Sequence, residues 1–174
     1  MFQGEKRIRG RAARWYNARM TFAVNWSAEW HDIGRLLLAY ALALPVGWHR
    51  ELEAQSIGVR TFPLVAMASC GYVLLSTSAY QSNIDAQSRV IQGLVAGIGF
   101  IGGGAILKAE GNVHGTATAA SIWNTGVVGA AVAQDRYVMA ATLAGLNLFA
   151  LRVLLPLKLK LDQRAADRRN NRSV

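Results

Sequence analysis

Five apolar runs dominate the chain, at residues 33–49, 62–80, 90–107, 116–133 and 137–157. Each is close to the length that lets a helix cross about 30 Å of hydrocarbon. Together they take up over half of the 174 residues. A soluble protein of this size has too few polar helix faces to cover five such elements. The pattern predicts an all-α, polytopic integral membrane protein with about five transmembrane helices, and argues against an ordinary globular enzyme or a disordered chain. Composition agrees: 52% of residues are hydrophobic and 17% charged. The single cysteine rules out a disulfide framework and a cysteine-rich metal site.

The charge is unevenly placed. Lys and Arg number 19 against 10 Asp and Glu, a net charge of +9. Residues 1–19 hold Lys6, Arg7, Arg9, Arg11, Arg14 and Arg19 against Glu5. Residues 158–174 hold Lys158, Lys160, Arg164, Arg168, Arg169 and Arg172 against Asp162 and Asp167. Basic tails bind nucleic acid in some proteins. Beside membrane helices they face anionic lipid or set topology. The second reading fits this chain, so the expected partner is the lipid bilayer and not nucleic acid. The layout of a signal peptide is absent, because the first apolar segment begins only near residue 33. Met20 opens a stretch, Met-Thr-Phe-Ala-Val-Asn-Trp, that reads like a protein start. Residues 1–19 are thus either a start-site overcall or a flexible basic extension.

The expected organisation is a basic extension and interfacial lead-in over 1–32, a transmembrane domain over 33–157 and a basic polar tail over 158–174. Trp26 and Trp30 suit the headgroup level, where an indole keeps its ring apolar and its N–H wet. Arg35 can snorkel at the edge of the first span, and Pro45 and Gly47 can kink its end. Five spans put the termini on opposite faces. One face collects Arg50, Arg60, Lys108 and the basic C-terminal tail; the other collects Arg35, Arg89, Arg136 and the N-terminal tail. With Met20 as the start, the excess of Lys and Arg on the first face places the N-terminus outside and the C-terminus in the cytosol.

Glycines crowd the third run: Gly93, Gly97, Gly99, Gly102, Gly103 and Gly104. Residues 97–102 match the dinucleotide pattern G-x-G-x-x-G, but that pattern needs a preceding strand and a βαβ unit. Gly93 and Gly97, four apart, are better read as a helix-packing face, since small residues let helix backbones touch in lipid. The triple glycine weakens a helix by about 1 kcal/mol per residue relative to Ala, so either tight packing or a helix break is expected there.

Asp85 and Arg89 stand i,i+4 at the start of the third helix, with the acid first, the favourable order. They are a capping ion pair at the interface or a cation-attracting mouth, which makes Asp85 the candidate metal contact. Arg50, Glu51, Glu53 and Arg60 cluster in the loop after the first span. Thr118, Ser121 and Thr125 share one face of the fourth helix, beside Thr116 and Asn124. Such a stripe bonds to a neighbouring helix, at about 0.6 kcal/mol per bond, or lines a polar path. His31, His49 and His114 lie in separate segments, and neither a metal-ligand spacing nor a catalytic constellation is visible.

Four stretches together resemble the MgtC/SapB family of bacterial inner-membrane proteins. Gly47-Trp48-His49-Arg50-Glu51 is similar to the family's G-L-E-R-E, and Gly58-Val59-Arg60-Thr61 to its G-L-R-T. Asp85 with Arg89, followed by Gly97-Ile98-Gly99-Phe100-Ile101-Gly102-Gly103-Gly104, resembles D…R…G-I-G-F-L-G-A-G. Val113 to Trp123 resembles R-G-L-T-T-A-A-T-L-W. The resemblance covers residues 33–155, and not the cytosolic ACT-like domain that many relatives carry after the last span. It implies a non-enzymatic inner-membrane protein of magnesium homeostasis, with virulence links and no cofactor beyond Mg2+ as a ligand. By the family's motifs, Asp85, Arg50, Glu51, Arg60, Gly99 and Trp123 are the residues to test. His49 stands where the family has its first Glu, which removes an acid from any cation site. Two mechanisms follow: regulation of another membrane complex, with a membrane-protein partner or a homo-oligomer, or transport of magnesium or another cation.

Overall fold

The computed structural model describes residues 26–54, 58–109 and 112–154. The basic extension, the question of Met20 and the C-terminal tail lie outside the described residues. Within them are five α-helices in the order α1 Trp26–Ala54, α2 Thr61–Ala79, α3 Ile84–Gly104, α4 Thr116–Ala133 and α5 Tyr137–Phe149. Between α3 and α4 stands a small antiparallel ribbon of β1 Leu107–Ala109 and β2 Asn112–His114. Its register pairs Leu107 with His114, Lys108 with Val113 and Ala109 with Asn112. The ribbon occupies the stretch between the third and fourth apolar runs. Three-residue strands are too short for an alternating pattern to register.

The helix ends follow local chemistry. Helix α1 runs unbroken through Pro45 to Ala54, five residues beyond the expected end of its span at His49. Trp26 and Trp30, in its first turns, are exposed. Asn83 caps α3, its side-chain oxygen accepting from Ala86 N at 3.0 Å. Helix α3 continues through the triple glycine and stops at Gly104, where Ala105 N bonds Gly102 O. The expected break thus falls at the end of the glycine run. Gly115 opens α4 at φ +85°, and a Cβ there would lie 1.9 Å from Ala105 O, so no other residue fits. Asp135 takes φ +58° in the α4–α5 turn, a conformation that Asp tolerates better than most residues. After Phe149 the chain winds one π-helical turn, Ala150–Leu154.

Helix α4 is the centre of the packing, against α2, α3 and α5. Its residues are small, so backbones approach closely. A Cβ on Gly129 would lie 2.0 Å from Ala66 O of α2, and one on Gly126 would lie 2.2 Å from Ile98 Cδ1 of α3. Ile122, Val128 and Val132 fill the core with Phe62, Ala66 and Val73 of α2 and with Ala39, Ala43 and Val46 of α1. The reverse faces are apolar too: Leu37, Leu75, Phe100, Val138 and Leu146 are all exposed. Apolar surface of that extent on every outer helix face marks contact with lipid or protein rather than water.

Two helical stretches, Thr61–Ala79 and Tyr137–Leu154, are long and apolar enough to cross a membrane by length and composition. The others dilute their apolar windows with Asp32, Arg35, Arg50 and Glu51 in α1, Asp85 and Arg89 in α3, and Ser, Thr and Asn in α4.

Gly129→Ala is expected to destabilise the purified protein by about 1–3 kcal/mol, the cost of overpacking. Gly99→Ala, which meets nothing within 4 Å, should leave the melting temperature in detergent unchanged or raise it. Equal melting temperatures for Gly129→Ala and wild type would contradict the α2–α4 contact.

Candidate functional site

The motif residues at the C-terminal end of α1 form a clasp. Because α1 continues to Ala54, Arg50 and Glu51 sit on a rigid helix rather than in a loop. A Cβ on Gly47 would lie 3.0 Å from Gly58 O and 3.2 Å from Phe62 Cβ, so this glycine admits the chain turning into α2. Gly58 lies against Glu51, where a Cβ would meet Glu51 Oε2 at 2.3 Å. Glu51 Oε2 accepts from Val59 N at 3.0 Å. Gly58 O in turn accepts from Thr61 N and Phe62 N, closing the first turn of α2. The carboxylate thus satisfies a backbone donor in the turn that leads into α2.

Arg50 points the other way, into the bundle. It is 7% exposed and donates through Nη2 to Thr118 Oγ1, itself 5% exposed, in the first turn of α4. A buried guanidinium is stable only with partners. The Arg50–Thr118 bond pins the end of α1 to the start of α4. Arg60 and Lys108 at this same end are exposed.

The hydroxyl stripe on α4 is consumed internally. Thr118 accepts from Arg50. Ser121 Oγ donates to Asn147 Oδ1 of α5 at 2.8 Å, and Asn147 Nδ2 donates back to Ser121 O at 3.4 Å. Thr125 Oγ1 donates to Ser121 O at 2.8 Å. Asn124 Nδ2 donates to Leu143 O at 3.2 Å. Thr118 and Ser121 bond to neighbouring helices and Thr125 within α4, all three buried, while Ser121, Asn124 and Asn147 also line a pocket of about 550 Å3 between α4 and α5.

The glycines divide. Gly102 packs against α4, a Cβ there lying 3.3 Å from Ala119 O. Gly93, Gly97, Gly99, Gly103 and Gly104 meet nothing within 4 Å. Within the chain, the expected packing face is not made by Gly93 and Gly97. The close contacts belong to Gly126 and Gly129, two glycines three apart on α4. Trp123 is half exposed. Gly93 and Gly97 instead form the α3 wall of an apolar groove of about 730 Å3 against α2.

Asp85 and Arg89 are both exposed. No ion pair among the described residues joins them, and Asn83 rather than Asp85 supplies the cap. No group of three or more His, Cys, Asp or Glu that could hold a metal occurs among the described residues. His114 is exposed on β2, and the side chain of Glu53 lies outside the described residues.

At the opposite end stands a charge cluster that the sequence reading misses. Arg35 donates through Nε to Asp135 Oδ1 at 2.9 Å and through Nη2 to Asp135 Oδ2 at 2.6 Å. Its Nη1 bonds Asp32 Oδ1 at 3.0 Å. Tyr137 Oη donates to Asp135 Oδ1 at 2.5 Å. Arg35, at the edge of the first span, clamps α1 to the α4–α5 turn, where Asp135 has φ +58°, across 100 residues of sequence.

Fold and site together define an all-α membrane protein in which buried polar side chains tie helices to one another. The MgtC family matches residues 36–159, so the chain belongs to the MgtC family, a family of membrane proteins. SrpB of Synechococcus elongatus is 40% identical over 110 residues, 56% of this chain and 60% of SrpB. YhiD of Escherichia coli K12, described as a candidate magnesium transporter, is 29% identical over 133 residues, 73% of this chain and 62% of YhiD. MgtC of Brucella abortus is 35% identical over 104 residues, 60% of this chain and 43% of that protein. The chain thus matches less than two thirds of the length of these relatives. No solved structure matches it.

Glu51→Ala is expected to destabilise the protein by about 1 kcal/mol, the worth of one hydrogen bond to a turn N–H, while Glu51→Gln retains most of the stability because its amide oxygen still accepts. A double-mutant cycle of Arg35→Ala and Asp135→Ala should give a coupling of about 1 kcal/mol or less, as both side chains are solvent-accessible. Thermal melts of the six proteins in detergent check both; a Glu51→Gln loss equal to that of Glu51→Ala would contradict the acceptor role.

Proposed function

We propose that this chain is a five-span protein of the bacterial inner membrane that supports growth at low magnesium by regulating another membrane complex. The observation that carries this reading is the commitment of the polar groups where α4 meets α1 and α5. Arg50, Thr118, Ser121, Thr125 and Asn147 bond to one another or to backbone, which builds a packed core rather than a wet path. The outward features are those of a protein that docks: a half-exposed Trp123, exposed apolar helix faces and exposed Asp85 at the start of α3. The link to magnesium rests on relatives, one of them described as a candidate magnesium transporter.

The N-terminus faces outside and the C-terminus the cytosol. Arg50, Arg60 and Lys108 mark the cytosolic end of the bundle, and the Arg35–Asp135 clamp marks the outer end. The bundle has no enzymatic role; Asp85 serves as a contact for a partner at the outer face.

The second reading is transport of magnesium or another cation, favoured by the description of the Escherichia coli relative. Asp85 would then attract the ion at the outer mouth.

A deletion strain is expected to grow poorly in limiting magnesium, with rescue by wild type and not by Asp85→Ala. Pull-down of the wild-type protein from mild detergent should bring a membrane complex that Asp85→Ala fails to retain. Normal growth of the deletion strain at every magnesium concentration would contradict the proposed role.

A further inference from the structure

The α2–α3 groove is absorbed by none of the contacts above. Its walls are Leu64, Ala68 and Tyr72 of α2 against Gly93, Leu94 and Gly97 of α3. From Thr61 to Tyr72 it follows eleven residue steps of helix, about 16 Å at about 1.5 Å per residue. That is half of a hydrocarbon core of about 30 Å, or one leaflet. One end therefore stops near the bilayer midplane, while the other opens beside Thr61 at the clasp end of the bundle.

Exposed positive charge stands at the mouth. Arg60 directly precedes Thr61 and is exposed, and Lys108 is exposed at the same end of the bundle. The nearby acid, Glu51, is engaged with Val59 N. The wall glycines meet nothing within 4 Å, so the groove is kept open by missing side chains rather than by strain. An apolar groove one leaflet long, with an exposed guanidinium beside its end, has the chemistry of an acyl chain joined to a phosphate.

We propose that the α2–α3 groove holds one acyl chain of an anionic phospholipid from the leaflet at the clasp end, with Arg60 at its phosphate. The proposal rests on the membrane reading above and not on the regulatory mechanism. Arg60 thereby gains a role that its motif alone does not give: it selects lipid rather than supports the fold. Arginine suits this task because its planar donors match a phosphate two at a time.

The test compares retained lipid in the full chain purified from nanodiscs of equal phosphatidylglycerol and phosphatidylethanolamine with matched acyl chains, read by mass spectrometry. Wild type should retain phosphatidylglycerol about fivefold over phosphatidylethanolamine, the factor that about 1 kcal/mol gives. Arg60→Gln should lower that preference toward unity while still retaining lipid. Gly97→Leu should fill the groove and lose both lipids, and the neutral variant Gly99→Leu, outside the groove, should behave as wild type. An unchanged preference in Arg60→Gln, or full retention in Gly97→Leu, overturns the proposal. Retention of neither lipid by wild type, with a disulfide crosslink from Ala68→Cys to another chain, assigns the groove to a protein helix and also overturns it. The readout is independent of magnesium growth, so failure here and failure of the regulatory reading are separable.

Discussion

Helices in lipid lack a hydrophobic drive toward one another, so they associate only where backbones can come close and polar groups can pair. The contact of Gly129 with the Ala66 carbonyl is where this chain meets that condition. It draws α4 onto α2, and Gly126 draws α3 against the same helix by admitting Ile98. Once α4 is central, its hydroxyls face neighbours instead of lipid, and the polar bonds to α1 and α5 become local. The bundle is thus fixed first by volume and second by hydrogen bonds.

Each end of that bundle is closed by a different device. At one end, Glu51 and Arg50 divide the work. The carboxylate holds the turn into α2, and the guanidinium reaches across to α4. At the other, Arg35 bridges two aspartates between α1 and the α4–α5 turn. The first device is made of motif residues, a buried Arg50 and an exposed Glu51; the second is solvent-accessible and carries no motif. Removing the Thr118 hydroxyl leaves a buried guanidinium short of a partner, which costs more than losing an exposed pair. This asymmetry accounts for the motif at the Arg50 end in physical terms.

Much of the architecture was legible in the sequence because apolar length is a strong signal. Helix α2 lies within a residue of its run and α4 matches to the residue, since Gly115 and the Gln134-Asp135-Arg136 turn punctuate it, while α5 starts with its run at Tyr137 and gives way to a π turn at Ala150. The motifs around Gly47, Gly58 and Thr118 pointed to the clasp, but not to its bonds. Three things were not legible. The extension of α1 to Ala54 goes with bonds from Arg50 to Thr118 of α4 and from Val59, in the turn before α2, to Glu51, neither of which spacing reveals. The Arg35–Asp135 clamp involves a left-handed aspartate at a turn far along the chain. The glycine-rich look of α3 pointed to Gly93 and Gly97 as the packing face, whereas Gly126 and Gly129 make the close contacts. Spacing alone does not say which side of a helix meets a neighbour.

The central claim is that the polar interior is a packed scaffold and not a conduction path. Its most direct test is magnesium flux into liposomes containing the purified protein and an entrapped magnesium-sensitive dye. The account predicts a rate equal to that of protein-free liposomes under both an inward magnesium gradient and an imposed membrane potential. A protein-dependent flux abolished by Ser121→Ala or Asn147→Ala would contradict it, because those groups would then line a path.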